Sequence, residues 1–131
     1  MMTEKNVSNI AKVWEDQNAI IHVLFLKIID ITDTEARNYI DICVNLAAGR
    51  PKNVLMDLRD VDFFTPGAFK QITGPEITNI TKAVAVLINT TSPLLTTAVS
   101  LLLKLEHEPF PIQIFNNEKE ATEWLLGLNK K

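Results

Sequence analysis

The residues whose types and spacing could do chemistry are concentrated in positions 53–69, NVLMDLRDVDFFTPGAF. The apolar run Val54, Leu55, Met56 ends in Asp57, and Arg59, Asp60 and Asp62 follow as a loop of alternating charge. Thr65-Pro66-Gly67 then reads as a helix start. An apolar strand ending in a carboxylate, with a helix beginning a few residues on, is where open α/β sheets place ligand or partner sites. Asp57 in that position could accept a phosphoryl group. That reaction requires a divalent cation held by an acidic pair after the first strand. Glu15-Asp16 instead leads straight into a hairpin turn, and no lysine directly follows the final strand. Asp57 is therefore expected to accept hydrogen bonds from loop amides or from the next helix start. Arg59 offers an anion contact or an internal pair. Thr65 offers a hydroxyl to a ligand or a phosphoryl donor, and a plain helix cap with Pro66 in the first helical position accounts for it as well.

No other constellation carries catalysis. His22 falls on a strand and His107 beyond a helix end, and neither has a cysteine nearby or a spacing that puts two metal ligands on one face. A nucleophile elbow, a phosphate-binding glycine loop and a dinucleotide fingerprint are absent. The four glycines, Gly49, Gly67, Gly74 and Gly127, are scattered as stops and turns. No catalytic residue, metal ligand or cofactor is expected. A cryptic enzyme is the third-ranked alternative.

Composition narrows the classes further. The chain has 131 residues, 47% hydrophobic and 22% charged, the balance of a soluble globular domain. Its net charge is −3, and its longest Lys/Arg run is Lys130-Lys131, which argues against a nucleic-acid groove. One cysteine, Cys43 on an apolar helical stripe, leaves no internal disulfide. The start MMTEKNVSN has no secretory pattern, and His22, Lys27 and Lys104 interrupt the most apolar segments. The expectation is a cytoplasmic protein without an integral membrane segment.

Positioning these residues requires a series of alternating elements. Positions 9–15 and 19–26 read as strands joined at Asp16-Gln17-Asn18, an antiparallel hairpin. Thr32 and Glu35 have the capping-box spacing, and Ala36, Ile40, Cys43 and Ala47 line one face of the helix that follows, stopped by Gly49 and Pro51. The continuous apolar runs 54–58 and 83–88 read as strands covered on both faces. A short second helix runs from about Pro66 to Thr73, broken by Gly74-Pro75, and Ser92-Pro93 opens a third. A strand at 112–115 and a helix with Ala121, Trp124, Leu125 and Leu128 at helical spacing complete the order. Strands separated by helices demand parallel crossovers, so the sheet is mixed.

The expected third helix is unusually apolar. Thr96, Thr97, Ser100 and Lys104 form one narrow stripe, and Leu94, Leu95, Ala98, Val99, Leu101, Leu102, Leu103 and Leu105 cover roughly 200° of arc, about twice what one sheet face needs. Leu95, Leu102 and Leu103 are candidates for contact with a ligand, a lid or another subunit. Phe63, Phe64 and Phe69 add aromatic residues near the same end of the sheet.

This order, with a third strand followed by DLRDVDFFTPGAF, resembles the STAS domain, the fold of the anti-sigma factor antagonists. Val13-Trp14, Ile20-Ile21-His22-Val23, Phe115 and Glu123-Trp124-Leu125 resemble more closely its SpoIIAA-like branch, often described as STAS/SEC14-like. The resemblance implies an α/β fold: a five-strand mixed sheet, an N-terminal antiparallel hairpin and then parallel strands, with four helices, as a single domain over 1–131. Asp57-Leu58 and Val61 match the third-strand motif of the antagonists. Its Asp-Ser-Ser-Gly segment falls on Thr65-Pro66-Gly67-Ala68, so the phosphorylated serine falls on Gly67, which has no hydroxyl. The expected function is a non-enzymatic binding or regulatory module that takes an apolar, lipid-like ligand or a membrane surface through its second and third helices. The alternative is an antagonist-type regulator that pairs with a protein without serine phosphorylation, with a homodimer among the partner states. Asp57, Arg59, Phe63, Phe64, Thr65, Gly67, Phe69, Leu95, Leu102 and Leu103 are the expected contact residues.

Overall fold

The structure is a computed structural model, and it describes residues 3–7, 11–25, 28–72, 74–89, 91 and 110–129. Six strands make the main sheet: β1 (Thr3–Val7), β2 (Ala11–Glu15), β3 (Ile20–Phe25), β5 (Lys52–Asp57), β7 (Thr81–Leu87) and β8 (Ile112–Phe115), in that spatial order. β1, β2 and β3 pair antiparallel, and β3, β5, β7 and β8 pair parallel. The five expected strands are all present in the expected mixed arrangement, with β1 added at the edge. Asp57 closes β5, which lies between β3 and β7 in the middle of the sheet.

The continuous apolar runs have the physical cause expected of them. Val54 and Met56 of β5 and Val84 and Val86 of β7 enter one core with Ala36, Ile40 and Cys43 of α1 (Asp33–Ala47). Leu55 of β5 and Ala83, Ala85 and Leu87 of β7 enter a second core with Ala121 and Leu125 of α4 (Glu118–Asn129). Because side chains alternate across a strand, helices on both faces demand apolar residues at every position. At the start of α1, the Glu35 carboxylate accepts hydrogen bonds from the Thr32 amide at 3.0 Å and the Thr32 hydroxyl at 2.7 Å, as the capping-box spacing predicts.

One expectation is corrected. The charged loop after Asp57 contains a strand, β6 (Val61–Phe64), parallel to β4 (Ile28–Ile31) in a separate two-stranded sheet. Isolated, VDFF is too short to declare itself, and pairing with a distant segment decides its state. α2 (Pro66–Ile72) and α3 (Pro75–Thr78) follow, divided near Gly74-Pro75 as expected. Ala68, Ile72 and Ile77 anchor them in the α1 core. On the surface, Arg37 of α1 donates both terminal nitrogens to Glu76 of α3 at 2.8 Å and holds Asp41 as well. The helix expected over 93–105, with Leu95, Leu102 and Leu103, lies outside the described residues.

Candidate functional site

β5 delivers Asp57 to the carboxyl end of the parallel strands with only 8% of its surface exposed. The chain then turns, and Arg59 folds back onto it. The Arg59 amide and Nε donate to Asp57 Oδ1 at 3.1 and 3.0 Å, and Nη2 donates to Oδ2 at 2.7 Å. Asp57 thus accepts a loop amide as expected, and Arg59 is internally paired. The same guanidinium lies 3.5 Å from Glu118 at the start of α4, and Asn89 donates to the Arg59 carbonyl at 3.0 Å. Hydrogen bonding to Asp57 raises the Arg59 pKa, so the guanidinium stays charged.

Thr65 and Gly67 belong to a different cluster. The Thr65 hydroxyl accepts the Ala68 amide at 3.2 Å, a helix cap, and donates to Asp33 Oδ1 at 3.0 Å. A Cβ on Gly67 would collide with that Asp33 carboxylate. The position that the resemblance assigns to a phosphorylated serine is therefore occupied by space for Asp33, a carboxylate of the protein's own. Phe63 and Phe64 lie in β6 and Phe69 in α2.

A depression of about 280 Å³, its open mouth included, lies beside Asp57 on the face that α4 covers in part. Trp14, His22, Leu24 and Leu55 wall it, with Asp57 and Glu118 among its lining. The hairpin register places Trp14 opposite His22, and their rings stack 4.9 Å apart and nearly parallel. His22 Nε2 lies 2.7 Å from Asp16 Oδ2, and Asp16 Oδ1 accepts the amides of Asn18 and Ile20. One carboxylate therefore pins both the turn and the imidazole. Trp14, His22, Asp16 and Glu118 are not among the contact residues expected from the sequence. The register of the hairpin, which pairs positions 14 and 22, was the signal that could have found the first two.

Elsewhere, Cys43 is buried and its thiol is pushed up to about 12 by burial, while burial also raises Tyr39. Neither offers a nucleophile near neutral pH. Among the described residues no three potential ligands gather as a metal site, and no helix is long and apolar enough to cross a membrane.

Residues 13–129 match the family model described as "Domain of unknown function (DUF7793)". The chain belongs to this family. No curated protein matches it. Among solved structures it is similar to an uncharacterized protein of the DUF3478 family with a SpoIIAA-like fold from Shewanella loihica. The two share 17% identity with a TM-score of 0.63, over 94% of this chain and 98% of the other. The DUF7793 chain therefore has the SpoIIAA-like fold that its sequence resembles.

Proposed function

We propose that this protein is a non-enzymatic regulatory module that binds a partner protein at the carboxyl end of its parallel strands. The observation that carries this is the depression beside Asp57: its enclosed volume of about 50 Å³ is far below the usual range of a small-molecule site, roughly 300–1,000 Å³, and suits the tip of one anchoring side chain. Its walls combine apolar surface with the Trp14–His22 stack, and the charged residues among its lining, Asp57 and Glu118, are both acidic. An arginine or aromatic anchor meets those conditions, since both stack on rings and the first also finds carboxylates. Asp57 and Arg59 act here as the rigid floor and rim of the site.

The test is a photo-crosslinking amino acid placed at Leu24, at Glu118, or at the exposed Val44 of α1 in living cells. One discrete protein adduct from the first two positions and none from Val44 supports the reading. Equal labelling at all three positions contradicts it. A second reading, an apolar ligand, rests on the wide leucine arc at 94–105. Native mass spectrometry of freshly purified protein separates the two, because a lipid-sized adduct supports only the second.

A further inference from the structure

We propose that β8, the open edge of the main sheet, pairs antiparallel with β8 of a second copy of this chain, about a two-fold axis at Gln113. This surface is a sheet edge, separate from the depression beside Asp57, and does not depend on the proposed partner site. β8 is hydrogen-bonded to β7 on one side and is the last strand in the spatial order of the described residues. The Pro111 and Phe115 carbonyls accept the amides of Val84 and Ile88 at 3.0 and 2.9 Å, so the odd positions of β8 turn their backbone groups toward β7. Those groups alternate in direction along a strand, so the amides and carbonyls of Ile112 and Ile114 face outward. Among the described residues no backbone group pairs with them there. An open row of such groups is a template for another strand.

A second copy is the occupant that this edge suits. Positions 110–117, FPIQIFNN, carry no charge, so an identical segment can lie against them without repulsion. The opposite edge, β1, carries Glu4 and Lys5, the kind of charge that guards an edge against another strand. Antiparallel pairing centred on Gln113 sets Ile112 opposite Ile114 of the second copy. Each such pair exchanges both of its hydrogen bonds, which satisfies every outward group of β8 at once. Pro111, which is exposed, then lies opposite Phe115 of the second copy. Both faces of the sheet have apolar surface left to bury at this edge. Ile112 and Ile114 are half-buried against the α1 core, and Phe115 is half-buried against the α4 core beside Trp124, their rings 5.6 Å apart. A second copy brings the same side chains to each face, so the two sheets continue as one. Gln113 is exposed, and the axis brings it against its own copy in a closely spaced pair.

The full chain is followed by sedimentation velocity over a concentration series, as the parent, as Gln113→Lys and as Gln113→Glu. The parent is expected to dimerise reversibly. Each substitution sets like charges opposite one another at the axis and should weaken the dimer about tenfold. Because Gln113 is exposed, both variants should keep the parent's circular dichroism spectrum. Mixed in equal amounts at low salt, the two variants should dimerise at least as tightly as the parent, since opposite charges now meet at the axis. That recovery also separates a lost contact from a variant that fails to fold. A parent that stays monomeric up to its solubility limit overturns the proposal. A dimer that both substitutions leave intact places the contact elsewhere and overturns it as well. Loss of the dimer in both variants without recovery on mixing overturns the antiparallel register at Gln113.

Discussion

The two ends of the parallel strands line their depressions with charges of opposite sign. At the carboxyl end each conspicuous charge is answered nearby: Asp57 by Arg59, and Asp33 by the Thr65 hydroxyl. At the amino end Arg50, Lys52 and Lys82 gather around one depression with Glu15 as the carboxylate at its side. The dense charge cluster in the sequence is thus largely scaffold, holding loops at the end where a partner is proposed to dock. The cations at the amino end come from residues that no motif connects. A run of charges in sequence tends to satisfy itself, because its members are close enough to pair.

The largest perturbation should remove both ends together. Cys43 lies in the core between α1 and the sheet, with its thiol pushed from 9.0 to about 12. Its raised value means the folded state keeps a proton that the unfolded chain releases. Its contribution is fully present below about pH 9 and falls by roughly 1.4 kcal/mol per pH unit between about 9 and 12. Urea midpoints measured across that range should fall steeply, and less steeply in Cys43→Ala.

Next in size, Asp57→Ala strands Arg59 and frees the turn. A fully buried broken pair costs 3–5 kcal/mol, and Arg59 is 37% exposed, so a loss of about 2 kcal/mol is expected in chemical denaturation. A loss below about 0.5 kcal/mol would mean that the carboxyl-end charges are not scaffold. Gly67→Ser should cost about 1 kcal/mol, because Asp33 must swing away and give up the Thr65 hydroxyl. Combining it with Asp33→Ala should recover part of that loss, a coupling a double-mutant cycle reads directly. Smallest of all, Lys82→Glu should shift stability by no more than about 0.5 kcal/mol, since Lys82 is exposed and surface substitutions usually stay within that range.

Much of the fold was legible because its signals are local or periodic. The doubly covered strands announced themselves as apolar runs through Leu55 and Ala85, and the α1 cap as Thr32 followed by Glu35. What stayed hidden depends on contacts between distant segments. β6 needs β4 to become a strand, and the Asp33 carboxylate reaches Gly67 only because α1 packs on α2. Asp57 and Arg59 were legible as a place, while their pairing emerged only from the turn geometry. Trp14 and His22 are eight positions apart and meet only through the hairpin register.

Photo-crosslinking tests most directly whether the carboxyl end is the partner surface. The yield of the protein adduct from a photo-crosslinker at Leu24 should be compared in the parent, in Glu118→Arg and in Lys82→Glu, each verified as folded by its melting curve. The prediction is an adduct that Glu118→Arg abolishes and Lys82→Glu leaves intact. An adduct indifferent to Glu118→Arg, or one lost with Lys82→Glu instead, would contradict it.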